Sequence, residues 1–203
     1  MNYLKYLTEE IHSTVMATVD ENGLPVTCAI DIMDYDENGL YFLTARGKNF
    51  YARLKRCGYV SLTGMKGTDT LSCVAISARG KVEEIGSDYL NRLFEKNSYM
   101  CEIYPTKESR TALTVFRIYD GCGEWFDLSK KPIERASFSF GNGIKSVDGY
   151  CITDKCIGCK KCLEVCPQGC IDFANVYARI IQSSCLRCGN CFTICPVKAV
   201  EKL

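Results

Sequence analysis

The stretch CIGCKKCLEVCP, from Cys156 to Pro167, is followed 29 residues later by CLRCGNCFTICP, from Cys185 to Pro196. Both stretches have the spacing C-x-x-C-x-x-C-x-x-x-C-P. A pattern that recurs at this separation indicates that one supersecondary unit has been duplicated. Ten of the fifteen cysteines of the 203-residue chain lie between Cys151 and Cys195. This region is therefore chemically distinct from the rest of the sequence.

Cysteine runs of this spacing are typical of [4Fe–4S] clusters. A cuboidal cluster needs a thiolate at each of four corners, and three closely spaced cysteines on a tight loop can bind three of them. In the bacterial two-cluster pattern, the fourth cysteine of each run binds the other cluster. The sequence thus predicts two crossed sets of ligands: Cys156, Cys159, Cys162 and Cys195 for one cluster, and Cys185, Cys188, Cys191 and Cys166 for the other.

A pair of zinc sites is the alternative interpretation of these cysteines. Zinc uses four ligands arranged as two pairs and needs neither the third cysteine nor the trailing proline, so the pattern favours clusters. Gly158 and Gly189 leave room for the backbone beside a cluster. Cys151 and Cys170 fall outside the ligand pattern, and we interpret them as packing residues.

The segment carrying both runs resembles the bacterial-type two-cluster ferredoxins over its full length, including short strands near Ile152, Ile171, Ile180 and Val200. That resemblance implies a small α+β domain. Glycines at positions 141 and 143 punctuate the chain ahead of it. We therefore predict two domains, residues 1–143 and residues 144–203.

The overall composition excludes several classes of protein. A net charge of +1 lacks the strongly basic character of nucleic-acid-binding proteins. No apolar run approaches the roughly 18 residues of a membrane helix, and the first residues do not have the pattern of a signal peptide. In a cytoplasmic chain of this size, many cysteines indicate metal rather than disulfides. We expect a cytoplasmic protein with neither a nucleic-acid nor a membrane partner.

Residues 1–143 have strand-like runs separated by turn signals such as DENGLP and DENG, which indicates a small antiparallel barrel with short helices. Phe138 and Phe140 are predicted to pack outward. The scattered cysteines are predicted to be small buried residues: Cys28, Cys57, Cys73, Cys101 and Cys122. Further predictions are a helix over Gly47–Arg56, a loop at Gly64–Asp69, a strand over Leu71–Glu83, a Ser87-capped helix over Asp88–Lys96, and a hairpin over Ala112–Asp127 turning at DGCGE.

One corner of this barrel carries a chemical signal. The strand YFLT, from Tyr41 to Thr44, runs through ARGKN into a predicted helix. Free amides at a helix N-terminus, together with Arg46 and Lys48, form a site for an anion. On local sequence alone, an ordinary solvated basic turn is the favoured interpretation.

Residues 1–140 are similar to the FMN-binding split-barrel family typified by pyridoxamine 5′-phosphate oxidase. Three segments carry the resemblance: ATVDENGLPVTCAIDIM, LYFLTARGKNFYARLKRCGYVSLTG and ARGKVEEI. The resemblance implies a homodimer with FMN at its interface. It assigns the flavin or its ribityl chain to Thr44, the phosphate to Arg46 and Lys48, and a further donor to Asn49, with Ala45 in the same binding segment.

The sequence departs from that family at one functional point. The true oxidase holds its substrate ring with basic and histidine residues near the C-terminus, whereas the single histidine here is His12. The segment GEWFDLSKKPIERASFSFG instead resembles the nitroimidazole-reductase-like branch. We therefore expect no pyridoxamine phosphate oxidase activity. His12 is interpreted as a surface residue at a helix end, and Trp125 as a core residue.

These features together predict an iron–sulfur flavoprotein oxidoreductase. Electrons would pass between two [4Fe–4S] clusters and FMN and reduce a small-molecule acceptor, with a redox protein as donor or acceptor. Because such clusters are sensitive to oxygen, oxygen is a poor electron acceptor for this protein. We therefore expect an anaerobic setting. An electron-transfer adaptor without its own substrate, and a redox or flavin sensor, are the alternatives. No residue stands out as a catalytic acid or base.

Overall fold

The computed structural model describes residues 1–173 and 178–203. The chain divides into two compact units. The first comprises Met1–Lys66, Ala75–Glu124 and Phe138–Lys145, and the second comprises Gly67–Val74, Trp125–Ser137 and Ser146–Leu203. The domain boundary that we place at residue 143 stays a prediction. Within the described ranges, no helix is both long enough and apolar enough to span a membrane.

Eight strands form the main sheet, in the order β2-β1-β5-β6-β7-β4-β3, with β8 paired to β7. The predicted fold class, mainly β with short helices, is confirmed. The strands are β1 Ser13–Val19, β2 Pro25–Asp31, β3 Asp34–Asp36, β4 Gly39–Ala45, β5 Tyr59–Lys66, β6 Val74–Gly86, β7 Leu113–Asp127 and β8 Glu134–Phe140.

Short helical segments connect these strands. The α-helices are α1 Tyr3–Lys5, α2 Asn49–Cys57, α3 Leu90–Lys96 and α4 Met100–Ile103, and a π-helical turn spans Tyr6–Ile11. Helix α2 buries Phe50 and Leu54 and ends where Gly58 takes a left-handed φ of 61°. Glycine reaches that conformation without the cost that a side chain imposes. The chain can therefore reverse directly into β5.

The core of the first unit lies along β4 and β7. Leu40, Phe42, Phe116 and Ile118 are fully buried. The rings of Phe42 and Phe116 stack with their centroids 5.7 Å apart. Burying each such side chain contributes about 1.5–3 kcal/mol. This packing fixes the strand that leads into α2.

The predicted hairpin at DGCGE is wrong, because β7 runs unbroken through it. A Cβ atom at Gly121 would lie 2.3 Å from the ring of Phe140, and one at Gly123 would lie 2.4 Å from the ring of Phe138. The glycines therefore allow close packing and do not form a turn. For the same reason Phe138 and Phe140 are buried in the barrel, contrary to the outward orientation that we predict.

Three predicted boundaries shift. The segment Gly64–Lys66 belongs to β5. Residues 70–72 form a 3₁₀ turn, because the Asp69 carboxylate accepts the N–H groups of Leu71 and Ser72, so β6 starts only at Val74. Helix α3 starts at Leu90 without a side-chain cap, while the carbonyl of Ser87 accepts the Leu90 N–H.

The scattered cysteines are less buried than predicted. Cys73 is buried, whereas Cys101 is exposed and the other three are half-buried. Cys101 lies on α4, where the sulfur accepts a hydrogen bond from Arg110 at 3.4 Å. An apolar sequence neighbourhood therefore did not ensure burial on a short surface helix.

The second unit contains the four short strands predicted near its cysteine runs. They pair as β9 Tyr150–Ile152 with β12 Val200–Lys202, and as β10 Ile171–Asp172 with β11 Arg179–Ile180. Two single-turn helices, α5 Lys161–Glu164 and α6 Asn190–Ile194, follow the cysteine loops. Ile171, Ile180 and Val200 form a small core together with buried Cys170. The Ile133 N–H donates to Gln168 Oε1 at 3.1 Å within the same unit.

Candidate functional site

Two cavities in the second unit are lined by the cysteine runs. Cys156, Cys159 and Cys162 from the first run and Cys195 from the second line one cavity. The other is lined by Cys185, Cys188 and Cys191 together with Cys166 and Cys170. The space between the lining atoms is about 340 Å³ in each. The fold thus brings the sulfurs together in the two crossed sets that the spacing predicts, and adds one cysteine to the second.

The backbone of the two halves repeats the same left-handed positions. Three pairs of residues with positive φ are each separated by 29 residues: Gly158 with Arg187, Lys160 with Gly189, and Gly169 with Lys198. In every pair one member is glycine and the other carries a long basic side chain. Holding a side chain at positive φ is unfavourable, so the loop geometry is imposed by the fold on both halves. The two cavities are therefore near copies of each other.

The environment of the crossing cysteines favours thiolates. Burial opposes ionisation, but backbone N–H groups of residues 168–170 hold the pKa of Cys166 below its ordinary value. Burial also opposes ionisation of Cys195, whose pKa is lowered in the same way by N–H groups of residues 197–200. The Ala199 N–H donates to Cys195 Sγ at 3.2 Å. A thiolate is the form that binds iron.

The residues predicted for FMN lie at the β4–α2 corner in different environments. Thr44 is 2% exposed, and its Oγ1 has no hydrogen-bond partner among the described residues. Ala45 is half-buried, whereas Arg46, Lys48 and Asn49 are exposed. Lys48 precedes α2 and leaves the first turn of the helix without a side-chain cap. The N–H groups of this turn are therefore available to an acceptor.

Arg46 has an acidic partner within the first unit. Its Nε lies 3.6 Å from Glu84 Oε1, and its Nη1 donates to the Thr111 carbonyl at 3.2 Å. Glu84 also accepts hydrogen bonds from Thr114 at 2.8 Å and from Lys55 at 3.1 Å. Burial raises the pKa of Glu84, but these hydrogen bonds outweigh it and hold the pKa below its usual value. The role of Arg46 at a phosphate stays a prediction.

A groove along α2 contains two arginines that our sequence analysis missed. About 660 Å³ of space is lined by Asp20, Glu21, Asn49, Ala52, Arg53 and Arg56. Asn49, Arg53 and Arg56 have the i, i+4, i+7 spacing of one helix face, a signal that was present in the sequence. Arg53 Nε donates to Thr18 Oγ1 at 2.8 Å, and Arg56 Nη2 donates to the Val19 carbonyl at 2.8 Å. These contacts hold both guanidinium groups beside the β1–β2 turn.

His12 and Trp125 lie outside the two cysteine-lined cavities and the groove along α2. His12 follows the π-helical turn with a φ of 64°, and its Nε2 lies 2.9 Å from Tyr99 Oη and 3.5 Å from Asp31 Oδ2. Trp125 is buried, in agreement with a core residue. Neither lines any of the three spaces described above.

Comparison with protein families identifies both the strand-rich part of the chain and the part with the cysteine runs. The family model described as Pyridoxamine 5′-phosphate oxidase matches residues 3–119. The chain belongs to the pyridoxamine 5′-phosphate oxidase family. A second model, described as 4Fe-4S dicluster domain, matches residues 155–199. Together the matches imply flavin binding in the family domain, 4Fe–4S clusters in the dicluster domain and a redox role for the protein.

Solved structures show the same fold in the family domain. One is a protein related to general stress protein 26 of B. subtilis, of the pyridoxinephosphate oxidase family, from Clostridium acetobutylicum (18% identity, 66% of this chain, 90% of that chain, TM-score 0.51). Another is a NimC/NimA family protein from the same organism (16% identity, 68% and 94%, TM-score 0.53). A third is a heme binding protein from Mycobacterium smegmatis (11% identity, 67% and 56%, TM-score 0.53). No curated protein matches the chain.

The residues present fit both implied cofactors. Four thiols around each cavity are the donor set of a [4Fe–4S] cluster. Across residues 1–173 and 178–203, no three cysteine, histidine or carboxylate side chains converge tightly enough to hold a single metal ion. At the β4–α2 corner, the uncapped start of the helix and the arginine-lined groove would bind a flavin phosphate. The Thr44 hydroxyl, which has no hydrogen-bond partner among the described residues, would bind the ribityl chain.

Proposed function

We propose that this protein is an iron–sulfur flavoprotein oxidoreductase that uses two [4Fe–4S] clusters and FMN to reduce a small-molecule acceptor. The observation that carries the proposal is the pair of equal cavities, each lined by a crossed set of four cysteines, in a chain of a flavin-using family. When bound, the clusters exchange single electrons and FMN exchanges one or two, so together they convert a one-electron supply into two-electron chemistry.

The cysteines and their backbone supply the conditions for the clusters. Each set of four would bind one cluster, and the amide groups that face Cys166 and Cys195 would stabilise the negative charge on the sulfurs. Cys159 and Cys188 are exposed, which supports access by a protein donor or acceptor to the edge of either cluster. Because the ligands cross between the runs, loss of either cluster would disrupt both halves.

The groove along α2 would hold the FMN phosphate. Lys48, Arg53 and Arg56 supply positive charge, and Asn49 and the uncapped first turn supply hydrogen-bond donors. The unpartnered hydroxyl of Thr44 would turn toward the ribityl chain.

A homodimer with FMN at its interface is part of this proposal. One face of β2, β1 and β5 is uncharged at most positions and exposed, with Val15 50% and Met65 67% accessible. In register with Val15 are Ala29 on β2 and Thr63 on β5. An exposed sheet face of small and apolar side chains is suited to cover by a second copy. We place the dimer in the reducing cytoplasm of an anaerobic cell, where clusters persist.

Anaerobic purification with iron, flavin and mass measurements tests the proposal. We expect about eight irons and one FMN per chain, and a mass of two chains. The protein, once reduced by dithionite, should be reoxidised by small molecules such as quinones or nitro compounds in stopped-flow experiments. Reoxidation by protein partners alone would support the adaptor instead, and a chain without flavin would refute the proposal.

The groove has a test of its own. In the Arg53→Gln/Arg56→Gln variant, FMN affinity should fall about tenfold or more, whereas riboflavin affinity should stay unchanged, because riboflavin has no phosphate. Lys107→Gln, which removes a charge from an exposed position elsewhere in the first unit, is the control. Equal weakening of both flavins would show that the arginines act on folding and not on the phosphate.

A further inference from the structure

The two cysteine-lined cavities differ in the number of cysteines that line them. Cys170 lines the cavity of Cys166, Cys185, Cys188 and Cys191 and is 4% exposed. The other cavity is lined by four cysteines. One predicted cluster thus has a fifth sulfur beside it, although the spacing that identifies the ligands leaves this cysteine out.

The internal repeat supplies the matched position in the other half. Cys170 lies four residues after Cys166, and Ala199 lies four residues after Cys195. Both residues are buried, with 4% and 1% of their surfaces exposed. The two positions also share their backbone chemistry, since N–H groups of both segments face the crossing sulfur. The thiol is therefore a chemical difference between two positions that the repeat makes equivalent.

The Cys170 thiol is in contact with a predicted ligand. The Sγ atoms of Cys166 and Cys170 are 3.5 Å apart, within hydrogen-bonding distance for two sulfurs. An iron-bound Cys166 carries no hydrogen, so Cys170 must be the donor. A buried cysteine that binds no metal is a neutral thiol and a weak S–H donor. The contact is then an S–H group directed at a cluster sulfur.

Such a hydrogen bond changes the energy of reduction. Adding one electron to a cluster increases the negative charge spread over its sulfurs, and a hydrogen-bond donor at a sulfur stabilises that charge. In a buried site of low dielectric constant this stabilisation is larger than in water. The donor beside Cys166 therefore favours the reduced state of one cluster only.

We propose that Cys170 makes the two clusters unequal: its S–H group donates to the sulfur of Cys166 and raises the reduction potential of that cluster above that of the cluster bound by Cys156, Cys159, Cys162 and Cys195. The inference rests on the proposed binding of two clusters. Reduction adds one electron to the cluster, and the hydrogen stays on Cys170. Electrons that enter the second unit would therefore collect at the Cys166 cluster first.

A redox titration followed by electron paramagnetic resonance tests this inference on the anaerobic holoprotein. The wild type should show two potentials, and Cys170→Ala, which copies the residue found at 199, should lower the upper one toward the other. Ala199→Cys is the converse variant, and it should raise the lower potential. Cys170→Ser, whose hydroxyl remains a donor, should keep most of the difference.

The iron count separates the outcomes. Cys170→Ala with about eight irons and two unchanged potentials would overturn the inference while leaving the proposed function intact. A fall to about four irons would also overturn it, because Cys170 would then be a ligand or an assembly residue. A wild-type protein that binds no clusters would instead refute the proposed function itself.

Discussion

Arg46 Nε lies 3.6 Å from Glu84 Oε1, so the cation that the family resemblance assigns to a phosphate is already beside a carboxylate. The Glu84 side chain is only 16% exposed and also accepts hydrogen bonds from Tyr51, Lys55 and Thr114. Through these contacts Glu84, on β6, connects the segment between β4 and α2 with α2 itself and with β7. The same contacts that orient Arg46 therefore also hold α2, whose first turn and groove we propose as the phosphate site.

Replacing Glu84 should reduce stability and change its dependence on pH. Glu84→Gln loses hydrogen bonds to charged partners, which we expect to cost roughly 2 kcal/mol. Because the folded pKa of Glu84 is below its unfolded value of about 4.3, its contribution is present above that pH and is lost as the pH falls through the folded pKa. Between pH 7 and pH 3, the melting temperature of the variant should therefore fall less than that of the wild type.

Glu37→Gln is the control for that experiment, because Glu37 is exposed in the β3–β4 turn. Its melting curves should follow those of the wild type at every pH. If the melting temperatures of the Glu84 variant and the wild type fell equally as the pH was lowered, the charge of Glu84 would contribute nothing to stability.

Lys48 should matter for flavin retention. It lies directly before the uncapped first turn of α2. Lys48→Glu replaces an attractive charge with a repulsive one, and we expect FMN to bind at least about tenfold more weakly. Fluorescence titration of the flavin-free protein measures the change. Lys107→Glu, with the same charge reversal on a different exposed turn, should retain wild-type affinity, and equal affinities in all three proteins would remove Lys48 from the site.

The crossed assignment of ligands can be tested with one cysteine. Cys195 belongs to the second run but lines the cavity of the first. Cys195→Ser should therefore disrupt the cluster bound by Cys156, Cys159 and Cys162, and the iron content should fall from about eight toward four per chain or lower. Cys151→Ser, a cysteine of the same unit outside both cavities, should keep the full content. Wild-type iron in Cys195→Ser would contradict the assignment.

Gly189 should be sensitive to even the smallest side chain. Its φ is 81°, and an added Cβ would lie 2.9 Å from Tyr150 Oη. Gly189→Ala should cost about 1–2 kcal/mol for the left-handed backbone, plus the cost of displacing Tyr150. Gly158→Ala has the same backbone cost at a φ of 69° but meets no atom within 4 Å. Denaturation of the anaerobic holoprotein should rank Gly189→Ala as the less stable variant.

Adding Tyr150→Phe to the Gly189→Ala background should recover the difference between the two glycine variants, since it removes the contacting oxygen. If the two alanine variants were equally stable, the contact with Tyr150 would have no energetic weight.

The two halves of the chain were not equally predictable from sequence. Cluster ligands are encoded in short-range spacing, because a tight loop must deliver three thiols to one cluster, so the sets could be named before any fold was known. The segment DGCGE was misinterpreted because glycine signals either a turn or a close contact. Only the rings of Phe138 and Phe140, far along the chain, show that close packing is the reason here.

The groove along α2 also could not be predicted from local sequence. Arg53 and Arg56 have the spacing of one helix face, but nothing local indicates that this face borders the β1–β2 turn at Asp20. Cys170 is buried, as its interpretation as a packing residue implies, but its contact with Cys166 depends on how the chain folds back after the first run. Side-chain neighbours that are distant in sequence cannot be derived from periodicity.

By itself, the sequence determined the two repeated cysteine runs, the crossed ligand sets that they predict, and the mainly β character of the first 143 residues, because spacing and alternation are local properties of a chain. Tertiary structure alone decided which cavity gains a fifth sulfur, which carboxylate meets Arg46, and which arginines border the groove. These are properties of packed surfaces, and packing brings together residues whose separation along the chain carries no information about their contact.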